Sequence, residues 1–137
     1  MEADIILADY ATVDANNKYT LVGAGFTSIG ASNFPCVHQS MFLLVRFQIG
    51  KNDVGKNRIN VRLLGEKGHV FRAEGDIAVN APQGDESFAA MSFHLQNTKF
   101  EVPGEYHVEV LINGEKKASQ VLRVVQIANP IEPKESK

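Results

Sequence analysis

The chain has a single cysteine, no tryptophan and no long block of like charge. A solitary Cys36 cannot close an intramolecular disulfide, so the cross-linked frameworks of small secreted domains are excluded and a reducing compartment is expected. Lys and Arg number 14 against 16 for Asp and Glu, giving a net charge of −2 with both signs spread along the 137 residues. Neutralising phosphates takes a concentrated basic patch, so nucleic acid and anionic membrane surfaces are not expected as partners. No segment approaches the roughly 18 unbroken apolar residues of a membrane-spanning helix. The N-terminal "MEADIILADYATVD" places two acids in its first four residues and interrupts its apolar run at Asp9, the reverse of a secretory signal. The expectation is a cytoplasmic, soluble protein.

Helical spacing of apolar residues is scarce, and there is no fixed-period repeat or low-complexity tract. What replaces it is period-two alternation between turn residues, the mark of half-buried strands. In "RINVRLL" Ile59, Val61 and Leu63 alternate with Arg58, Asn60 and Arg62, predicting one core face and one wet face. "ADIILADYATV" reads as one strand, and Asn16 and Asn17 tolerate left-handed backbone, predicting a tight turn into "YTLVGAGF". "VHQSMFLLVRFQI", residues 37–49, is apolar enough to be a central strand covered on both faces. "VFRAEGDIAVNA" is a further strand with Gly75 as a candidate bulge, and "SFAAMSFHL" is a strand or a short helical turn. "EYHVEVLI" and "KKASQVLRVVQI" flank Asn113–Gly114, the strongest short hairpin signal in the chain.

The length fits one domain. Eight or nine strands at short spacing predict an all-β domain over residues 1–127, a single antiparallel β-sandwich with little helix. Residues 128–137, with two prolines and mixed charges, read as a flexible tail. In "FEVPGEYHVEV" a turn at Val102–Gly104 sends Tyr106 into a strand at its second position. From there its hydroxyl can return to upstream backbone, as in the tyrosine corner of immunoglobulin-like sandwiches.

The residues that might carry chemistry do not form a constellation. Gly23, Gly25 and Gly30 in "LVGAGFTSIGASNFPC" are followed by strand formers, where a phosphate-cradling loop would need a helix N-terminus. They read instead as a second strand and its bend, with Phe26 and Ile29 as core contacts. His38, His69, His94 and His107 lie in or beside four different strands. Cys36 and His38 share a face without two further ligands, and no cation beside Cys36 marks it as a nucleophile. Asp14, Asp53, Asp85 and Glu86 are expected at solvated loop tips, and spacing alone does not rank Asp76, Glu101 and Glu109 as catalytic carboxylates. No catalytic, cofactor-binding or metal-binding residue is nominated, and no cofactor.

"ADYATVDANNKYTLVGAGFTSI", "FPCVHQSMFLLVRFQI" and "PGEYHVEVLINGE", in that order, resemble a family of small bacterial proteins known as a domain of unknown function. The resemblance covers about residues 3–126. It implies a β-sandwich and no established activity, catalytic residue or cofactor. The expected function is a non-enzymatic, intracellular module that binds a protein partner or itself. The alternative is a small-ligand or carbohydrate-binding sandwich using loops 50–56 and 80–87.

Overall fold

The computed structural model describes residues 1–80 and 86–128. Among these residues the protein is all-β. Its strands are β1 (Glu2–Ala8), β2 (Tyr10–Val13), β3 (Tyr19–Val22), β4 (Ser28–Ala31), β5 (Cys36–Gly50), β6 (Gly55–Gly65), β7 (Gly68–Val79), β8 (Glu86–Phe100), β9 (Gly104–Ile112) and β10 (Glu115–Gln126). A single 3-10 turn at Lys51–Asp53 links β5 to β6. Three sheets form, ordered β1-β5-β8, β4-β10-β9-β6-β7 and β2-β3.

Inward residues of the two larger sheets merge into one core. Met41, Leu43, Val45 and Phe47 of β5 meet Ile59, Val61 and Leu63 of β6, Val108 and Val110 of β9, and Leu122 of β10. The wet face predicted for β6 is equally regular: Arg58 pairs with Glu74 and Asp76 of β7, and Arg62 with Glu109 of β9. The expectation that residues 37–49 form a central strand holds, but cover on both faces is found only at its middle, and Ser40 and Gln48 are exposed. Leu44, on the opposite face of β5 from the main core, is fully buried with Ala8 and Ala11 under the β2–β3 hairpin. The molecule therefore has a third, small layer on the outer side of β1-β5-β8.

Four features differ from the sequence reading. First, the strand expected over residues 3–13 breaks at Asp9, whose N–H bonds the carbonyls of Val22 and Gly23. β1 stays with β5 while β2 leaves to pair with β3, and ten strands result. Second, the fold is not a single antiparallel sandwich. β4 runs parallel to β10, with Ser28 opposite Arg123 and Ala31 opposite Gln126, so the five-stranded sheet is mixed, and the sheets curl into a half-barrel. The cause is the route of the chain, which leaves the hairpin layer and crosses to the edge of the far sheet. Third, Gly23 and Gly25 lie beyond the end of β3, at φ of 60° and 90°, in the crossing itself. A Cβ on Gly23 would stand 2.1 Å from the Asp9 carboxylate, so the break at Asp9 needs a glycine opposite it. β4 follows this crossing and no helix does, while Phe26 and Ile29 pack on the main core as expected. Fourth, Gly75 pairs with Ile59 without a bulge, and the register shift falls between Leu63 and Leu64, where Val70 is the extra residue.

"SFAAMSFHL" resolves as strand, because β8 carries Met91, Phe93 and Leu95 to the same side as the inward residues of β5. The Asn113–Gly114 hairpin forms with φ of 51° and 85°. Asn113 also reaches β6: its side chain accepts from the Arg58 N–H at 2.9 Å and donates to Asn57 Oδ1 at 2.9 Å. The residues beyond 128, read from the sequence as a tail, lie outside the described residues.

The tyrosine corner is built as expected. Tyr106 donates its hydroxyl to the Val102 carbonyl at 2.6 Å, and its ring meets Phe100 edge-on at 5.0 Å. Burial lifts its phenol above the ordinary range, so it serves as a neutral donor. Gly65 makes room, since a Cβ there would sit 2.6 Å from the ring. Replacing Tyr106 by Phe leaves the carbonyl without its donor and is expected to cost about 1–2 kcal/mol. Gly65→Ala forces the ring aside and is expected to cost about 1–3 kcal/mol. Urea titration checks both, with lower midpoints and unchanged slopes as the expected result.

Glu109 supplies a pH prediction. Burial works against its charge, but the hydrogen bond and attraction of Arg62, at 2.8 Å, and of Lys116, at 3.5 Å, outweigh it and hold the carboxyl below its ordinary range. A carboxylate depressed in the folded state stabilises the fold above its unfolded pKa, and that contribution disappears as pH falls through the folded value. Stability is therefore expected to drop below about pH 4.3. Thermal midpoints measured across pH 3–6 should show a shallower drop in Glu109→Gln.

Candidate functional site

The sequence directs attention first to its cysteine, histidines and loop acids, and the fold separates them. Cys36 and His38 sit together on β5, and burial pushes the Cys36 thiol up, which disfavours the nucleophilic thiolate. His69, His94 and His107 stand on β7, β8 and β9. Among the described residues no group of three His, Cys, Asp or Glu side chains could hold a metal ion.

The acids have structural employment. Asp14 accepts the N–H groups of Asn16 and Lys18 and so shapes the β2–β3 turn, where Asn17 has φ 62°. Asp53 accepts the Gly50 N–H at 2.7 Å, which lowers its pKa, and meets the Met1 ammonium at 3.1 Å. Asp76 pairs with Arg58, Glu101 with Lys99, and Glu109 with Arg62. The Asp85 and Glu86 side chains, and most of the loop at 80–87, lie outside the described residues. The loop at 50–53 borders a shallow cavity of about 250 Å³ with Met1 and Glu2.

The more developed site is on the outer face of β1-β5-β8, beside the hairpin. A cavity of about 390 Å³ opens there, bordered by Glu2 and Asp4 of β1, Tyr19 of β3, Arg46 of β5, and Phe88 and Ala90 of β8. Strand register explains the assembly. Asp4 is opposite Arg46, and Arg46 is opposite Ala90, so three neighbouring strands present one row across the sheet. Arg46 is the one charged residue between Met41 and Gly50, and it points away from the main core. Its Nε donates to Asp4 Oδ1 at 2.8 Å, its Nη2 pairs with the other carboxylate oxygen, and its Nη1 donates to the Tyr19 hydroxyl at 3.0 Å. Those bonds push the guanidinium further into its charged range. Phe88 forms the opposite wall and is 64% exposed, more than any other large apolar residue described.

β8 adds a second property. It is an end strand of its sheet, and β7 passes near it without hydrogen-bonding to it. Twelve consecutive residues of β8, Ser87 to Thr98, contain no Asp, Glu, Lys or Arg. Other free edges carry the usual protections against strand addition. β4 is four residues long, β1 carries Glu2 and Asp4, and β7 carries Arg72, Glu74 and Asp76. Beside β8, Phe42 stacks on His94 at 4.1 Å, Tyr10 meets Phe42 edge-on, and Ser40 Oγ lies 2.8 Å from His94 Nε2. Phe42 is half-buried against Ala8, Ala11 and Leu44, while Ser40 and His94 are exposed.

Sequence reasoning missed this site because strand pairing builds it from residues far apart in the chain. Two signals were nevertheless present: a lone arginine inside an apolar strand, and the uncharged run from 87 to 98.

Comparison with known proteins gives three findings. A family model described as "Family of unknown function (DUF6941)" matches residues 3–125. No curated protein matches. Among solved structures, the Pseudomonas fluorescens alkylpurine DNA glycosylase AlkC bound to DNA containing an abasic site analog is similar at 17% identity and a TM-score of 0.41. The similarity covers 90% of this chain and 30% of that one. The exclusion of nucleic acid as a partner is corrected by that finding, since the similar protein is one bound to DNA. The exclusion rested on whole-chain charge, which averages over a surface that strand pairing assembles locally. A TM-score of 0.41 carries no inference about what this chain binds. For membranes, among the described residues no helix is long and apolar enough to cross one.

The Arg46 row is expected to shape the groove more than it stabilises the fold, since both partners are partly exposed. Arg46→Gln should change unfolding free energy by less than about 1 kcal/mol. Leu44→Ala, in the same strand but under the hairpin, should cost about 2–5 kcal/mol. Chemical denaturation of the two variants side by side checks the contrast.

Proposed function

We propose that this chain, which belongs to the family of unknown function DUF6941, is a non-enzymatic, intracellular protein-binding module that takes an extended protein segment along the free edge of β8. The observation that carries the reading is the uncharged run Ser87–Thr98, which includes the exposed Phe88, on a strand that pairs with β5 on one side and has no strand partner on the other among the described residues. Such an edge offers backbone N–H and C=O groups to another chain, and natural proteins leave one unprotected where strand addition is used. An exposed aromatic beside it supplies the kind of anchor that dominates binding energy at interfaces. The engagement of Asp14, Asp53, Asp76, Glu101 and Glu109 in turns and ion pairs supports a non-enzymatic role. The lone Cys36 supports a reducing compartment. The Tyr106 corner supports reading the two large sheets as a modified immunoglobulin-like plan.

The test is a double variant with charge on the open side of the strand, Phe88→Lys with Gln96→Lys. Both positions are exposed, so the thermal midpoint should stay within a few degrees of the parent. Native mass spectrometry and affinity capture with cross-linking should show a specific protein bound through β8 in the parent and not in the variant. A parent that is only monomeric and captures no specific protein would overturn the proposal, as would a variant that binds unchanged.

A further inference from the structure

Another cavity, of about 430 Å³, opens where β7 passes β8 without pairing to it, between the β6–β7 turn and the end of β8. We propose that this cavity binds a small-molecule carboxylate, with the Thr98 hydroxyl and the Lys67 ammonium as its principal donors. The assignment does not rest on strand addition at β8 and needs no partner chain.

Thr98 carries the argument. It is 6% exposed, and among the described residues no hydrogen bond engages its hydroxyl. A buried hydroxyl without a partner costs free energy, and buried polar groups are almost always satisfied. The strand itself sets the orientation. Leu95 and Phe100 both face the core, although five residues apart they could not share a face in unbroken alternation. Asn97, at φ 52°, lies between them and shifts the phase. Thr98, two residues before Phe100, therefore turns inward, where it borders the cavity. Had the alternation run on from Leu95, Asn97 and Lys99 would face inward and Thr98 outward.

The charges around that hydroxyl select an anion. Lys67 and Lys99 border the cavity with a single carboxylate, Glu101, which Lys99 meets at 3.3 Å. Lys67 is exposed and, among the described residues, has no ion pair. Its neighbour Glu66 borders a different cavity, with Val102 and Pro103. The border thus has one positive charge in excess, which a carboxylate balances. A phosphate monoester, at roughly −1.5 to −2, would leave negative charge in excess beside Glu101. Gln96 and Asn97 add amide donors at the exposed rim.

The remaining border is apolar. Phe71 packs on the main core, and the Tyr106 ring is fixed by its bond to the Val102 carbonyl, so the carbon skeleton of a ligand meets aromatic surface. A few convergent polar groups over such walls, in a volume of roughly 300–1,000 Å³, are the usual form of a small-molecule site.

The experiment titrates the isotope-labelled full chain with acetate, lactate, succinate and benzoate, followed by two-dimensional NMR, with inorganic phosphate, glucose and methylammonium as controls. At least one carboxylate should shift the amide resonances of residues 67–71 and 96–99 saturably. Its affinity should fall roughly fivefold or more in Thr98→Val and in Lys67→Gln. It should be unchanged in Lys56→Gln, which removes the same charge from an exposed position on β6. A second readout separates a ligand-binding hydroxyl from a structural one. Thr98→Val exchanges an unpartnered hydroxyl for a methyl group, so its thermal midpoint should rise by a few degrees while binding weakens. A lowered midpoint would overturn the proposal, because the hydroxyl would then be held by the fold. Equal affinities of the parent and Thr98→Val would also overturn it, as would tighter binding of phosphate or glucose at these residues. If no carboxylate shifts them, the site is refuted and the reading of the β8 edge is untouched.

Discussion

Burial of β5 on both faces is the constraint from which the rest of the arrangement follows. One face, Met41, Leu43, Val45 and Phe47, supplies the main core, and the other places Leu44 under the hairpin. A strand covered on one face only could sit in a two-layer fold with a solvated back. A leucine fully buried on the back requires a third layer, and the nearest chain able to form one is the segment just after β1. The break at Asp9 delivers that layer: β1 remains beside β5, while β2 lifts onto the outer face and returns as β3. The crossing through Gly23 and Gly25 then carries the chain to the far sheet, where β4 enters parallel to β10. The departure from an all-antiparallel sandwich thus traces to the need to cover the back of one strand.

The same three-layer plan creates the groove. The hairpin is short, four residues in each strand, and cannot cover a 15-residue β5 and its neighbours. Near Leu44 the covering is complete. Two residues further along the same face it has run out, and the position is filled by Arg46. An arginine suits that boundary because its stem packs against the sheet while its head reaches a carboxylate and a hydroxyl at the rim. Asp4 and Tyr19 supply those partners from the two elements that bound the layer.

How much of this could be read in the sequence depends on the range of the interactions involved. Features set by neighbours in the chain were legible: the alternation of Arg58–Leu63, the Asn113–Gly114 hairpin, the Asn16–Asn17 turn and the Tyr106 corner, whose donor and acceptor are four residues apart. The double covering at the middle of β5 was legible too, because a run with few polar interruptions leaves few residues to face water, although the strand's ends are exposed. Features set by pairing between distant segments were not. The break at Asp9 depends on a close approach to Gly23, and the parallel pairing of β4 depends on where β10 ends. The groove joins residues 2, 4, 19, 46 and 88, and no local pattern ties those positions together.

The uncharged run of β8 occupies an intermediate position. Its composition is visible without a structure, yet its meaning changes with topology. In an interior strand, twelve residues without charge are an ordinary consequence of burial on both sides. In an end strand the same residues leave a backbone edge unguarded, against the general practice of shortening such edges or lining them with charge. β5 and β8 show the contrast within one sheet: β5 is the more apolar and is flanked by β1 and β8, whereas among the described residues β8 has a neighbour on one side only. Removing charge from an edge carries a cost in specificity that an isolated domain has no reason to bear, because it invites pairing with any extended chain.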